Sequence, residues 1–480
     1  MRNFPALCCA ASLATSALAF TIVPRSDSST PKVVQHDIER RKVSNPLVRD
    51  KLRRRASSKT ISESLTNEQT LYFANCSLGT PAQSLRLHID TGSSDLWTNS
   101  PNSEICQYKN EGLCSASGTY VANKSSSYNY VNSYFKISYA DNSGASGDYA
   151  TDVFTIGGST LQDQQFGIGY KSTSPEGIVG IGYPTNEAIN GVRAGLQYAN
   201  VPQKMMQSGL INSNAYSLWL NDLDASTGSI LFGGIDTGKY HGSLETLPII
   251  QTDGVYSAFY IALTGVGIKG TANSLASDLK TPVLLDSGSS LTYLPDNITT
   301  QVYSALGVTY DQNEGAAFID CSRANDDWSI GYTFSSPTIS VSISELVVEI
   351  GTQGGKPICI LGIAPSGDTT SVLGDTFLRS AYVVYDISSN QIGLAQTNFN
   401  STTSNIQEIT NGTSTSSGIP DSTGVANAVS EVPTTVAGGA RNGLGTVSST
   451  AAAAATPPPR KILQGVGAAG LLAAGAMFAI

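Results

Sequence analysis

Leu87-His88-Ile89-Asp90-Thr91-Gly92-Ser93-Ser94 has an echo in Val283-Leu284-Leu285-Asp286-Ser287-Gly288-Ser289-Ser290. In each copy an apolar run delivers an Asp, a hydroxyl residue, a Gly and a second hydroxyl residue. A further element follows each one. Ile178-Val179-Gly180 ends 90 residues after Asp90, and Val372-Leu373-Gly374 ends 88 residues after Asp286. A single run of this kind carries little weight in a chain with 47 glycines, but two copies with matched flanks and a matched downstream partner mark an internal duplication. The stretch 70–398 therefore reads as two related lobes, about 70–240 and about 241–398, joined by a pseudo-twofold axis.

Around these loops the pattern is mostly strand. Tyr134–Tyr139, Asp152–Ile156, Ala215–Leu220, Ser229–Phe232, Ala258–Val266 and Ser340–Ile350 are Val, Ile, Tyr and Phe runs punctuated by Gly, Asn, Asp and Ser. Two short helices are expected, Pro202–Leu210 ending near Gly209 and Asp296–Leu306 stopping at Gly307, with Asp296 as the N-cap candidate. The expected fold class is all-β, with two sheet-rich lobes and a cleft between them.

The loops suggest a chemistry. Glycine lets the backbone turn tightly beside the carboxylate, and the flanking hydroxyls can hydrogen-bond neighbouring groups. Two such loops meeting at a symmetry axis would bring Asp90 and Asp286 together. Like charges that close cannot both ionise, so the pair would share a proton. One member can then act as general base toward a water and the other as general acid toward a carbonyl oxygen. Amide hydrolysis by this route needs no cofactor, metal, histidine or activated serine. With only His36, His88 and His241 in the chain, a Ser-His-Asp triad or a multi-histidine metal site would consume nearly all of them. His88, two residues before Asp90, reads as packed, His241 as surface, and Asp95 and Asp141 as solvated acids.

At these residues the chain resembles the pepsin family of aspartic endopeptidases, and within it the fungal yapsin and candidapepsin branch. The resemblance runs from about Leu71 to Asn398. It rests on Leu78-Gly79-Thr80-Pro81-Ala82-Gln83, Ile89-Asp90-Thr91-Gly92-Ser93-Ser94-Asp95-Leu96-Trp97, Leu285-Asp286-Ser287-Gly288-Ser289 and Gly374-Asp375-Thr376-Phe377-Leu378-Arg379-Ser380-Ala381-Tyr382. It implies that Asp90 and Asp286 are catalytic and that Thr91 and Ser287 cross-brace the two loops. It further implies that Ser93 and Ser289 bond the outer carboxylate oxygens, with Gly92 and Gly288 shaping the turns. The flap would be Ile137–Gly144, with Tyr139, Ala140 and Asp141 over the cleft, although Ala140 stands where the family has Gly. The short Cys106–Cys114 loop lacks the long acidic insert of some yapsins, so broad specificity is expected. The competing reading is an inactive wall glycoprotein or adhesin that kept the fold; two intact loops favour the enzyme.

The ends read as addresses. Residues 1–19, a charged start and an apolar run closed by Ala17-Leu18-Ala19, read as a signal peptide. Residues 20–55 read as a basic propeptide ending in Arg53-Arg54-Arg55. Residues 1–55 carry 11 Lys/Arg against 4 Asp/Glu, a balance of +7, and the remaining chain carries −16. The leader is accordingly expected to lie in the cleft of a zymogen and pair with Asp90 or Asp286. Residues 399–455 read as an extended Ser/Thr/Gly/Ala-rich stalk, and 456–480 as a GPI-attachment signal removed on anchoring. The expected location is the outer face of the plasma membrane or the cell wall.

The formal charge of −9 argues against nucleic-acid partners. The expected partners are protein and peptide substrates and a membrane reached through the GPI lipid, with the chain acting as a monomer. Five cysteines remain beyond the signal. Local pairing 106–114 and 321–359 is the most economical, leaving Cys76 as a buried inert thiol. Asn75, Asn123, Asn297, Asn400 and Asn411 begin glycosylation sequons.

Overall fold

A computed structural model describes residues 31–41, 71–108, 112–139, 143–193, 195–225, 227–268, 271–411 and 418–432. The signal peptide, the tribasic site, the flap tip Ala140–Asn142 and the GPI-signal region lie outside the described residues.

Ten strands build the first lobe and the floor beneath both lobes: β1 (Val34–Arg41), β2 (Leu71–Leu78), β3 (Gln83–Asp90), β4 (Leu96–Asn99), β5 (Asn129–Ser138), β6 (Gly144–Ile156), β7 (Ser159–Ser172), β8 (Ile178–Gly180), β9 (Ala215–Trp219) and β10 (Thr227–Phe232). They belong to one 14-stranded sheet, which continues through the second lobe's strands Ala381–Asp386, Gln391–Thr397 and Tyr240–Pro248. The rest of the second lobe forms three smaller sheets. The architecture is mostly β and two-lobed, as expected.

The duplication is visible in the pairing. In the first lobe β3 runs parallel to β8, with Asp90 opposite Gly180. In the second, Thr281–Leu285 runs parallel to Ser371–Leu373, and Asp286 N–H donates to Leu373 O. The repeated glycines have a steric cause. A Cβ on Gly180 would lie 2.6 Å from the Asp95 nitrogen, and one on Gly374 would lie 2.4 Å from the Leu291 and Ser289 oxygens. Each glycine lets a strand pass directly against the backbone of an Asp loop.

Several expected runs divide. Ala258–Val266 is two strands, Tyr260–Leu263 and Gly265–Ile268, because Thr264 bonds Thr333 O through both its N–H and its hydroxyl where the chain changes sheets. Ser340–Ile350 is interrupted by a helical turn, Ile343–Leu346, capped by the Ser342 hydroxyl. The helix expected at Pro202–Leu210 is Val201–Gln207, with Asn200 as its cap. Asp296–Leu306 has the expected bounds and stops at left-handed Gly307, but Pro295 occupies the N-cap and Asp296 instead accepts from Gly367 N–H.

Two larger expectations need correction. The described part of the leader does not lie in the cleft. β1 is inserted between β10 and β2, with Val34 and Ile38 buried, so an alternating pattern with an apolar face prevails over the basic composition. Nor is the segment after Asn398 only an extended stalk. Ile406–Glu408 pairs with Gly234–Asp236, and Ser422–Gly424 adds to the sheet edge beside Tyr240–Pro248. Ile409 and Ile419 are buried in a cluster with Trp219, Ile235 and Tyr382. A few Ile and Val residues inside a polar tract are enough to dock it.

Cys106–Cys114 and Cys321–Cys359 are disulfides, and Cys76 is a buried free thiol whose pKa burial pushes up. All five sequon asparagines are exposed. Among the described residues no helix is long and apolar enough to cross a membrane, and no group of three or more His, Cys, Asp or Glu is arranged to hold a metal ion.

Candidate active site

Strand β3 ends on Asp90 and the strand Thr281–Leu285 ends one residue before Asp286, so each carboxylate sits where a buried strand turns into its loop. Both are fully buried. Each receives one donor on each oxygen. Asp90 Oδ1 accepts Gly92 N–H at 2.9 Å and Oδ2 accepts the Ser93 hydroxyl at 2.6 Å. Asp286 Oδ1 accepts Gly288 N–H at 2.8 Å and Oδ2 accepts the Ser289 hydroxyl at 2.6 Å. The two seats match atom for atom.

Four hydrogen bonds lock the loops to one another. Thr91 N–H donates to Ser287 Oγ at 3.1 Å, and Ser287 N–H donates to Thr91 Oγ1 at 2.9 Å. The Thr91 hydroxyl donates to Leu285 O and the Ser287 hydroxyl to Ile89 O, both at 3.0 Å. Each hydroxyl accepts from the opposite loop and donates to the strand that leads into that loop, so the brace crosses the lobe boundary in both directions with all four bonds made. This is the cross-brace expected for Thr91 and Ser287.

Below the loops, β9 pairs with Ala381–Asp386 so that Tyr216 faces Tyr385, their rings stacked at 5.0 Å. Tyr216 donates its phenol to Ile181 O, while Ile181 N–H donates to Asp90 O. Both tyrosines support the site from beneath, and neither stands out in sequence because each sits in an ordinary strand pattern. The segment expected to form the flap belongs to the antiparallel hairpin β5–β6. Tyr139 directly follows β5 and is buried, accepting the Trp97 indole N–H at 2.7 Å. Ala140 and Asp141 lie outside the described residues.

Asp95 departs from expectation. It is fully buried rather than solvated, accepting the Tyr149 hydroxyl at 2.7 Å, the Tyr198 hydroxyl at 2.9 Å and Ala188 N–H at 2.7 Å. Burial raises its pKa, opposed by those hydrogen bonds. Glu187 beside it is also buried. Burial, then the Asp95 charge, pushes Glu187 up to about 10. Tyr149 lies on β6 and packs edge-on against Phe135 of β5, so its hydrogen bond to Asp95 ties this acid cluster to the β5–β6 hairpin. Sequence could not show it, because its members are 92 residues apart, from Asp95 to Glu187. His88 is buried against Phe73, as expected, and His241 is exposed.

The arrangement can bind a water between two buried carboxyls held on rigid loops and pass protons in both directions. Comparison with known proteins agrees. The family profile described as eukaryotic aspartyl protease matches residues 71–397. The chain is 55% identical over 409 residues to the probable aspartic-type endopeptidase opsB of Aspergillus oryzae, covering 84% of this chain and 83% of that protein. It is 37% identical to candidapepsin-3 of Candida albicans, covering 73% of this chain and 85% of the relative. Among solved structures, the aspartic proteinase from Irpex lacteus shares the fold with a TM-score of 0.57 at 24% identity, over 70% of this chain and 97% of that one.

Proposed function

The chain belongs to the eukaryotic aspartyl protease family and is an aspartic-type endopeptidase acting on protein or peptide substrates, and on that premise we propose that it is made as a secreted zymogen, works at acidic pH and is held at the outer cell surface by a GPI lipid. The observation that carries the reading of the reaction is the pair of matched carboxylate seats joined by the Thr91–Ser287 brace. A shared proton leaves one carboxylate to deprotonate the attacking water while the other protonates the carbonyl oxygen, a rule that aspartic proteases themselves exemplify. The flap hairpin closes over the peptide and limits water. Acidic pH supplies the shared proton.

The zymogen and anchoring readings are supported by the signal-like start, the basic leader with Arg53-Arg54-Arg55 and the uncharged terminal run Ile462–Ile480. The short loop closed by Cys106 and Cys114 supports broad specificity.

The test is cleavage of a denatured protein by the processed enzyme from acidic to neutral pH, with and without a statine-type transition-state mimic. Activity should be confined to acidic pH and abolished by the mimic. Asp90→Asn and Asp286→Asn should each lower kcat by at least about 10²-fold with folding retained, since each removes a general acid–base partner. Full activity in either variant refutes the dyad. For the anchor, a chain lacking Ile462–Ile480 should appear free in the medium; retention on cells would refute GPI attachment.

A further inference from the structure

The leader strand β1 carries one residue whose hydrogen bond depends on its protonation state. His36 lies opposite Ile230 of β10, beyond the point where β1 pairs with β2, and its side chain meets the turn between β6 and β7. There His36 Nδ1 accepts the N–H of Gly157 at 3.1 Å. The other ring nitrogen, Nε2, is buried with no hydrogen-bond partner. The turn is shaped to receive the leader. Gly157 has φ +58°, and a Cβ there would lie 2.7 Å from Gln35 O and 3.0 Å from Val34 Cγ1. Beside it opens a cavity of about 460 Å³, lined by His36, Asn75, Cys76, Ser84 and the Gly157–Gly158 turn.

We propose that His36 is a proton-operated latch that holds the leader strand in the body sheet at neutral pH and lets it go in acid. This inference rests on the zymogen reading and deepens it. An imidazole accepts a hydrogen bond at Nδ1 only when it is neutral. A proton added at Nδ1 sets two donors against each other, strands the Gly157 N–H and places a positive charge in a half-buried site.

The groups facing the ring can be named from each packed element. On β1, Asp37 and Glu39 favour the charged ring, but Glu39 is engaged by Arg86 of β3 at 3.2 Å. β2 offers the Cys76 thiol, which burial keeps protonated, and the Asn75 amide, which itself donates to Glu39. The Gly157 turn and Ile230 offer no charge. Burial outweighs the two acids and lowers the His36 pKa below its ordinary 6.5. The sign follows. A base whose pKa is depressed in the docked state contributes full docking strength above about 6.5 and loses it as pH falls toward the depressed value.

The experiment uses the full-length precursor, wild type and two variants, incubated across the range from neutral to about pH 4, following loss of the leader on gels and gain of peptidase activity. His36→Gln keeps an acceptor for Gly157 N–H but does not titrate. His36→Lys carries its charge throughout. Wild-type leader loss should accelerate about tenfold per pH unit below about 6.5, as one protonation requires. His36→Gln should move the midpoint at least about one unit more acidic, and His36→Lys should shed the leader already at neutral pH. Once processed, all three should have the same kcat/KM, because the leader is gone. If one variant fails to be secreted, the other decides. Leader loss with an unchanged midpoint in the variant overturns the latch and leaves the zymogen reading standing. A wild-type chain fully active with its leader attached overturns both.

Discussion

Thr91 shows how much a single hydroxyl carries here. Its Oγ1 accepts from Ser287 N–H and donates to Leu285 O, both in the opposite lobe. Thr91→Ala leaves a buried N–H unpaired, which costs about 1–3 kcal/mol, and loosens the register of the two carboxylates. A misplacement of about 1 Å can cost about 10²-fold in rate. We therefore expect kcat to fall about 10–10²-fold with KM little changed, whereas Thr91→Ser should restore most of the loss. Steady-state kinetics on the processed enzyme decides, and a Thr91→Ala enzyme with normal kcat would show that the brace is dispensable. Arg379 is a second such residue. It is fully buried between Asp375 and Glu345, and Tyr72 donates to Asp375 at 2.9 Å. Arg379→Ala leaves two buried carboxylates without their cation, an expected loss of about 3–5 kcal/mol by denaturant titration.

At the scale of elements, the family-like body ends near Thr397 but the packed structure does not. The strap after Asn398 contributes Ile406–Glu408 and Ser422–Gly424 to sheets and buries Ile409 and Ile419. Two buried isoleucines are worth about 1.5–3 kcal/mol each. A chain ending at Asn398 should therefore unfold about 3–6 kcal/mol more easily than one ending at Val432, as an upper bound. Urea titration of the two truncations measures the difference. Equal stabilities would mean that the strap merely rests on the surface.

Across the whole molecule, buried carboxyls set how stability follows pH. Burial raises the pKa of Asp95, Glu187 and Asp386, to about 10 in the case of Glu187. An acid whose folded pKa is raised gives its full contribution below the unfolded value, near 4, and loses it progressively as pH rises toward the folded value. Asp152 works the other way: burial pushes it up, but hydrogen bonds from Ser127 and Tyr120 outweigh that and lower it, so its contribution fades in acid. Asp152 and Asp320, both lowered, lose their contribution only below the ordinary value of 3.8. Between about pH 4.5 and neutral the three raised acids are therefore opposed, among the described carboxyls and histidines with shifted pKa values, by His36 alone, and Glu187, pushed up to about 10, outweighs it. The melting temperature should be higher at about pH 4.5 than at neutral pH. Glu187→Gln should flatten that slope. A scan showing equal or greater stability at neutral pH, or an unaltered slope in Glu187→Gln, would count against the buried acids as its cause.

The Asp loops, the fold class and the helix Asp296–Leu306 were legible in the sequence because each rests on neighbouring residues or on a repeated local pattern, and both disulfides were legible because the most economical pairing of the five remaining cysteines is the one formed. Asp90 needs Gly92 and Ser93, two and three residues away, and the duplication printed the same requirement again at Asp286. The tertiary structure alone decided the rest. β1 finds its place beside β10, Asp95 meets Tyr149 and Glu187, and Ile409 packs among Trp219 and Tyr382. In each case the partner lies far along the chain. Whether a basic strand enters a cleft or a sheet, or an aspartate stays in water or is buried, is settled by which distant surface the fold brings against it, and no local pattern encodes that surface.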